Sequence, residues 1–350
     1  GLFGMAHRRI DRAVRDRERS SCGQRRPARS ALLVTREGLE RNQIAIYFAS
    51  VAVAATAGLL APAATAGLDV LVTPAIAVLM YAMFLQIPFL SLRDALGERR
   101  FVGALLLANF VLIPLLVWVL TRHLADREAL LIGALLVLLT PCIDYVVVFT
   151  HLGKGDAKLT LSATPILLLL QFALLPVYLS LMLDDNEVSS IPFAPFLDAF
   201  LFLIVGPLLL AVATEALTAR SHAVRSWCDG WLWMPVPAMA AVLVVVIASQ
   251  IDGIRQDATT LMAVLPVYAG FVVFAPIIGA LAARTFRLST PAARAVAFSS
   301  ATRNSLVVLP LALALPPELR TLAAASVIAQ TLVELIAELI YLKAIPALVR

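Results

Sequence analysis

Charged side chains are scarce in this chain of 350 residues, where they make up 15 per cent of the sequence, against about 25 per cent in an average soluble domain. Hydrophobic residues make up 61 per cent, and the mean hydropathy is +0.91. So few polar side chains cannot cover the surface of a soluble globule of this size. The composition therefore excludes an ordinary soluble enzyme and predicts an all-α integral membrane protein.

Motifs of catalysis and of cofactor binding are also missing. The sequence has no Gly-rich nucleotide loop and no zinc-protease pattern. Its three cysteines cannot build a disulfide framework, and of these only Cys142 falls in an apolar segment. We therefore predict that the protein is not an enzyme, has no catalytic residue and holds no cofactor.

The positive charge of the chain is confined to its first residues. Residues 1–43 hold 11 arginines and 5 acidic residues, whereas residues 44–350 hold 17 basic and 18 acidic residues. This distribution argues against a nucleic-acid partner. We predict that residues 1–43 form a disordered cytoplasmic tail that fixes orientation in the membrane, and binding to anionic lipid is the alternative.

Apolar runs separated by charges, prolines and glycines predict ten transmembrane helices, at residues 44–61, 69–91, 101–121, 129–151, 159–183, 197–219, 231–250, 258–283, 292–315 and 319–345. Five helices precede a polar loop and five follow it, so the second half runs through the bilayer upside down. Residues 44–183 and 197–345 are thus expected to be two inverted five-helix repeats. A weak sequence similarity between residues 110–114 and 271–276, each of which ends in proline, supports this division.

Basic residues in the loops predict the orientation. With the amino terminus inside, the inner loops and the carboxyl end hold 12 basic residues and the outer loops hold 4. The positive-inside rule therefore places both termini in the cytoplasm of a multi-pass protein of the cell membrane.

The predicted helices 4 and 9 each contain a polar stretch near mid-length. Pro141 removes a backbone donor from the first stretch, and no proline interrupts the second. Aligning Cys142 with Thr302 places Asp144 on Asn304. We interpret both as broken helices, and a simple proline kink is the alternative.

Ionisable residues are predicted at the same depth, near the middle of the membrane. Placing a charged side chain there costs roughly 2.5 to 3.5 kcal/mol unless the side chain is paired or contacts water. We predict that Arg303 pairs with Asp144, or as second choice with Glu334. Glu338 follows Glu334 by four residues and extends one polar stripe, a candidate proton path. A purely structural ion pair is the alternative. The candidate substrate-binding residues at this depth are Cys142, Asp144, Thr302, Arg303, Asn304 and Asn109.

These motifs carry a family resemblance that extends over residues 40–345. Residues 140–149 and 152–156 resemble the fourth-helix signature of the arsenical-resistance efflux permeases, members of the bile acid:sodium symporter superfamily. Asn109, Phe110 and Pro114 resemble the third-helix pattern, residues 298–304 stand in the place of the ninth-helix motif, and residues 332–334 resemble the tenth-helix glutamate site.

The resemblance implies ten helices, with a core of helices 3–5 and 8–10 in which helices 4 and 9 are broken and cross. It also implies export of trivalent arsenic or antimony, with Cys142 as the required cysteine and Glu334 as the required glutamate. Sodium-coupled relatives have an acidic residue where this chain has Ser299 and a glutamine where it has Arg303. Arg303 also departs from the usual pattern of arsenite exporters.

Trivalent arsenic hydroxide is small, neutral and thiophilic, so Cys142 is predicted to be its metalloid ligand. Export of a neutral solute needs a driving ion, and the sequence predicts a proton carried by Glu334, Glu338 or Asp144. The expected partners are therefore an inorganic metalloid, protons and the lipid bilayer. The alternative function is a bile-acid-like organic-anion carrier, with Arg303 as the anion contact.

Overall fold

A computed structural model describes residues 36–61, 65–87, 97–143, 145–183, 197–198, 200–218, 220–256 and 258–350. These residues are mostly helical, and the isolated bridge found among them is antiparallel. Residues Leu39–Arg350 form one compact unit. The predicted all-α class is confirmed for the part of the chain that the structure describes.

The described helices, in chain order, are α1 Arg36–Leu60, α2 Asp69–Phe84, α3 Arg99–Leu107, α4 Ile113–Thr121, α5 Glu128–Leu138, α6 Val146–Leu152, α7 Ala157–Met182, α8 Gly206–Thr218, α9 His222–Trp231, α10 Pro235–Gln256, α11 Ala258–Leu261, α12 Leu265–Thr285, α13 Thr290–Ala301, α14 Ser305–Leu313 and α15 Pro317–Leu348. Helix α1 begins before the predicted start at residue 44, so the end of the predicted tail is helical. Most of that tail lies outside the described residues.

Five of these helical stretches are long and apolar enough to cross a membrane: Arg99–Leu124, Ala157–Met182, Leu201–Thr218, Thr259–Thr285 and Pro317–Leu348. A sixth arises if α9 and the first part of α10, bent by 51°, count as one span. Three further helices are apolar but shorter: Ala45–Leu60, Val70–Phe84 and Glu128–Leu138. The composition of these helices is that of a membrane protein, while the count of ten spans stays a prediction.

A five-residue π-helix, Ala108–Leu112, joins α3 to α4. It precedes Pro114, which has no N–H to donate to the carbonyl four residues earlier, that of Phe110. The Tyr178 hydroxyl of α7 donates to this carbonyl at 2.6 Å. The proline thus loosens the helix locally, and a neighbouring helix satisfies the released acceptor.

Pro276 in α12 repeats this arrangement. It leaves the Val272 carbonyl without its helical donor, and the Tyr341 hydroxyl of α15 donates to that carbonyl at 2.7 Å. Positions 114 and 276 are 162 apart in the sequence. The sequence similarity between residues 110–114 and 271–276 therefore has a structural counterpart in two proline-released carbonyls.

Gly133 allows α5 to pack closely against α15. A Cβ atom at this position would lie 2.6 Å from the Ala323 carbonyl oxygen and 2.9 Å from the Ser326 Cβ. Because a backbone carbonyl cannot yield as a flexible side chain does, Gly133→Val is expected to destabilise the protein by at least about 1 to 3 kcal/mol. The measurement is thermal unfolding in detergent. Gly230→Val is the matched control, because nothing lies within 4 Å of a Cβ there, and an equal loss in both variants would contradict the packing argument.

Candidate functional site

Two helix breaks meet near the middle of the described core. The chain leaves helical geometry after Leu138 and resumes it at Val146, and it does so again between Ala301 and Ser305. The two breaks form an antiparallel bridge between Pro141 and Arg303. We call residues 139–143, 145 and 302–304 together the crossing.

Backbone groups at the crossing satisfy one another. The Cys142 N–H donates to the Thr302 carbonyl at 3.0 Å, and the Asn304 N–H donates to the Thr140 carbonyl at 2.9 Å. The Asn304 side chain also caps α14, since its oxygen accepts from the Val307 N–H at 3.4 Å. Polar backbone released inside an apolar protein therefore finds partners without water.

The crossing has a local twofold relation. A shift of 162 positions relates Thr140 to Thr302 and Cys142 to Asn304. If the residues of each pair are swapped, each of the two backbone hydrogen bonds becomes the other. Each threonine hydroxyl also donates to the carbonyl four residues earlier, at 3.0 and 2.7 Å. The sequence alignment that placed Cys142 on Thr302 therefore differs from this relation by two positions.

The Arg303 side chain is fully buried beside the crossing. Its Nη2 donates to Asn109 Oδ1 at 2.7 Å and to the carbonyl oxygens of Ser299 at 2.8 Å and Ser300 at 2.7 Å. Its Nη1 donates to the Leu138 carbonyl at 3.4 Å. Within the described part of the chain, these four hydrogen bonds all end on neutral oxygens.

The position of those oxygens offsets part of the cost of burying this cation, whose Nε has no hydrogen-bond partner among the described residues. Leu138 ends α5, and Ser299 and Ser300 lie in the last turn of α13. The last carbonyls of a helix lack intrahelical donors and carry partial negative charge. The guanidinium of Arg303 therefore joins the carboxyl ends of two broken helices, and the Phe271 ring lies 5.4 Å from its central carbon.

The predicted partner of Arg303, Asp144, lies outside the described residues, so that pairing stays a prediction. The second predicted partner, Glu334, contacts Arg303 through the backbone rather than through the guanidinium: the Arg303 N–H donates to Glu334 Oε2 at 2.9 Å. The guanidinium binds carbonyl oxygens at helix ends in place of the carboxylate that the sequence predicts.

Glu334 of α15 is buried and accepts three hydrogen bonds. Its Oε1 accepts from the Tyr145 hydroxyl at 2.5 Å, and its Oε2 accepts from the Arg303 N–H and from the Gln330 side-chain amide. These donors come from both halves of the crossing and from α15 itself. Tyr145 was missed by the sequence analysis, although it is a polar residue directly after Asp144 in an apolar run.

Glu338, one turn later, has fewer partners. It is fully buried, its Oε1 lies 2.6 Å from the Thr302 hydroxyl, and its Oε2 has no hydrogen-bond partner among the described residues. Two buried carboxyl groups of one helix therefore have very different environments.

Cys142 is fully buried within the crossing. Its backbone is fixed by the bond to Thr302, which in turn contacts Glu338. The described residues contain no group of three His, Cys, Asp or Glu side chains arranged to hold a metal ion. The site thus brings together Cys142, Thr302, Arg303, Asn304 and Asn109 of the predicted set, with both glutamates beside them.

A cavity of about 300 Å³ lies at the far end of α14. It is lined by residues of α2, of the segment that precedes α8, and of α14. The lining is apolar except for Thr73 and Asp198. A carboxylate in an apolar cavity disfavours an anionic ligand.

Part of the chain matches a known protein family. Residues 73–257, more than half of the chain, match the model described as Sodium Bile acid symporter family. The matched segment includes Asn109 and Cys142 and ends before Thr302. No curated protein matches the chain.

Proposed function

The chain belongs to the sodium bile acid symporter family, whose members are transporters and not enzymes, and from this membership and the geometry of the crossing we propose that it exports arsenite or antimonite in exchange for protons. The observation that carries this proposal is the buried thiol of Cys142 between two broken helices. Substrate sites of secondary transporters are typically formed by such discontinuous helices.

A single thiol suits a solute that must be bound and then released. The Cys142 sulfur displaces one hydroxyl from trivalent arsenic, so that an S–As bond forms and the hydroxyl leaves as water with the thiol proton. Hydrolysis reverses this step. Three thiols would hold the metalloid more tightly, whereas Cys142 is the one cysteine at the crossing among the described residues.

The alternative substrate is an organic anion bound by Arg303. Two observations count against it. The guanidinium is fully buried and already bound to four oxygens, and the charged side chain that lines the cavity near α14 is the carboxylate of Asp198.

The test is transport into inside-out membrane vesicles. Radiolabelled arsenite should accumulate when the vesicle interior is acidic and should stop accumulating when the pH gradient is collapsed. Taurocholate serves as the organic-anion probe and should not accumulate. Accumulation of taurocholate without arsenite would overturn the metalloid proposal and favour the organic-anion carrier.

The coupling ion is tested in the same vesicles. Arg303 places a permanent positive charge on the oxygens of Asn109, Ser299 and Ser300, so a sodium ion at these oxygens would meet a fixed cation. Replacing sodium with choline is therefore expected to leave the arsenite transport rate unchanged. A strict sodium requirement would contradict proton coupling.

We further propose that residues 44–183 and 197–345 are inverted repeats of five spans each, in the cell membrane with both termini cytoplasmic. The shared separation of 162 positions supports the repeats, because it relates both the proline-released carbonyls and the backbone bonds of the crossing. The excess of basic residues in the predicted inner loops supports the orientation.

A further inference from the structure

The Thr302 hydroxyl lies between two oxygens, 2.7 Å from the Phe298 carbonyl and 2.6 Å from Glu338 Oε1. Both separations are hydrogen-bond lengths for oxygen pairs. A hydroxyl has one hydrogen to donate. If it donates to the Phe298 carbonyl, the hydrogen in the second contact must come from Glu338.

A protonated Glu338 satisfies both contacts. The carboxylic acid donates to the Thr302 oxygen, and Thr302 donates to the Phe298 carbonyl. An ionised Glu338 would instead take the threonine hydrogen and leave an anionic Oε2 buried without a described partner.

The charged and titratable groups around Glu338 agree with this arrangement. On α15 itself the neighbours are Glu334 and Tyr341. The crossing contributes the buried cation Arg303, whose charge acts on Glu334, Tyr341 and the Cys142 thiol. Tyr145 of the crossing binds Glu334. Tyr268 of α12, which also packs against α15, binds Ser326. The guanidinium of Arg303 binds carbonyl oxygens at the helix ends, and the backbone N–H of Arg303 binds Glu334.

Glu334 has the opposite character. It accepts three hydrogen bonds, from Tyr145, Gln330 and the backbone of Arg303, and the charge of Glu334 acts favourably on the Arg303 guanidinium. The Tyr145 hydroxyl also lies 3.2 Å from the Arg303 carbonyl, but this separation exceeds the usual length of an O–H···O hydrogen bond, so its hydrogen is directed to Glu334. A carboxylate accepts all three bonds at once, whereas its acid form must give up an acceptor position. Glu334 is therefore suited to remain a fixed counter-charge.

We propose that Glu338 is the residue that carries the exchanged proton and that Thr302 transmits its protonation state to the crossing. Glu338 releases its proton to water on the side of the membrane to which the transporter is open. The hydroxyl hydrogen of Thr302 then turns from the Phe298 carbonyl to the Glu338 carboxylate. The end of α13 loses that side-chain bond, directly beside the Thr302 carbonyl that holds the Cys142 N–H. This inference rests on the proposed proton-coupled export.

The test separates net transport from exchange in inside-out vesicles. Glu338→Gln is expected to lose at least about tenfold in pH-driven arsenite accumulation, because an amide cannot titrate, while exchange of internal for external arsenite persists. Glu318→Gln, an exposed residue of the same helix, is the matched control and should accumulate arsenite normally. Normal pH-driven accumulation by Glu338→Gln would overturn this inference alone, whereas a wild-type protein that moves no arsenite in either assay would overturn the proposed function.

A second measurement needs no substrate and no Glu338 variant. The infrared spectrum of the purified protein near neutral pH should contain a protonated-carboxyl band that shifts in Thr302→Val, which lacks the hydroxyl, and returns in Thr302→Ser. The absence of a Thr302-sensitive carboxyl band would overturn the shared-proton arrangement even if Glu338→Gln fails to fold.

Discussion

Cys142→Ser is expected to abolish arsenite accumulation, reducing it to the level of vesicles without the protein. Serine has nearly the shape of cysteine, so the crossing and its backbone bonds should persist. Its hydroxyl is a hard oxygen and gives no thiolate to bond trivalent arsenic. The measurement is uptake of radiolabelled arsenite under a pH gradient, with the elution profile of the purified variant as a check on folding.

The matched controls are Cys22→Ser and Cys228→Ser. Cys22 lies outside the described residues, and Cys228 is a partly buried residue of α9. Both variants should transport arsenite as the wild type does. Equal transport by all three variants would remove Cys142 from the proposed mechanism.

Arg303→Met is expected to destabilise the protein by roughly 3 to 5 kcal/mol, the usual consequence of breaking a buried charge network. Methionine has a similar length but donates no hydrogen bond. The variant therefore leaves Asn109 Oδ1 and the carbonyls of Ser299 and Ser300 without the donor that they now share. It also leaves the charge of Glu334 without the nearby guanidinium.

Thermal unfolding in detergent is the measurement for this variant. Arg225→Met is the matched control, since Arg225 is exposed and makes one long contact of 3.5 Å to the Thr218 carbonyl; a change within about 0.5 kcal/mol is expected there. Arg303→Gln should be less damaging than Arg303→Met, because the amide supplies two hydrogens to the same oxygens. If Arg303→Met unfolds at the wild-type temperature, the guanidinium does not stabilise the crossing.

Much of the helical layout could be predicted from the sequence, because apolar runs, and the charged residues between them, mark where helices begin and end. Pro141 also predicted the first break, since a proline has no N–H. The second break has no proline. There the Thr302 hydroxyl binds the Phe298 carbonyl and the Asn304 side chain caps α14, and such bonds depend on a geometry that the sequence does not specify.

The environment of Arg303 could not be predicted for a related reason. Three of its four described acceptors are backbone carbonyls, and every residue type has a carbonyl. The sequence shows a lone cation among acids and favours an ion pair. Helix α9 was also missed, because ten residues that include charges and tryptophans form no apolar run.

Arg303 lies in the second break, and its four side-chain hydrogen bonds reach three places. Two bind Ser299 and Ser300 of the preceding helix α13, one of 3.4 Å reaches Leu138 at the first break, and one of 2.7 Å binds Asn109 in the π-helix that joins α3 to α4. Without water to replace it, a hydrogen bond in an apolar interior costs about 4 to 6 kcal/mol to break. The second break and the π-helix are therefore expected to move together during a transport cycle, because sliding one past the other would break the bond to Asn109.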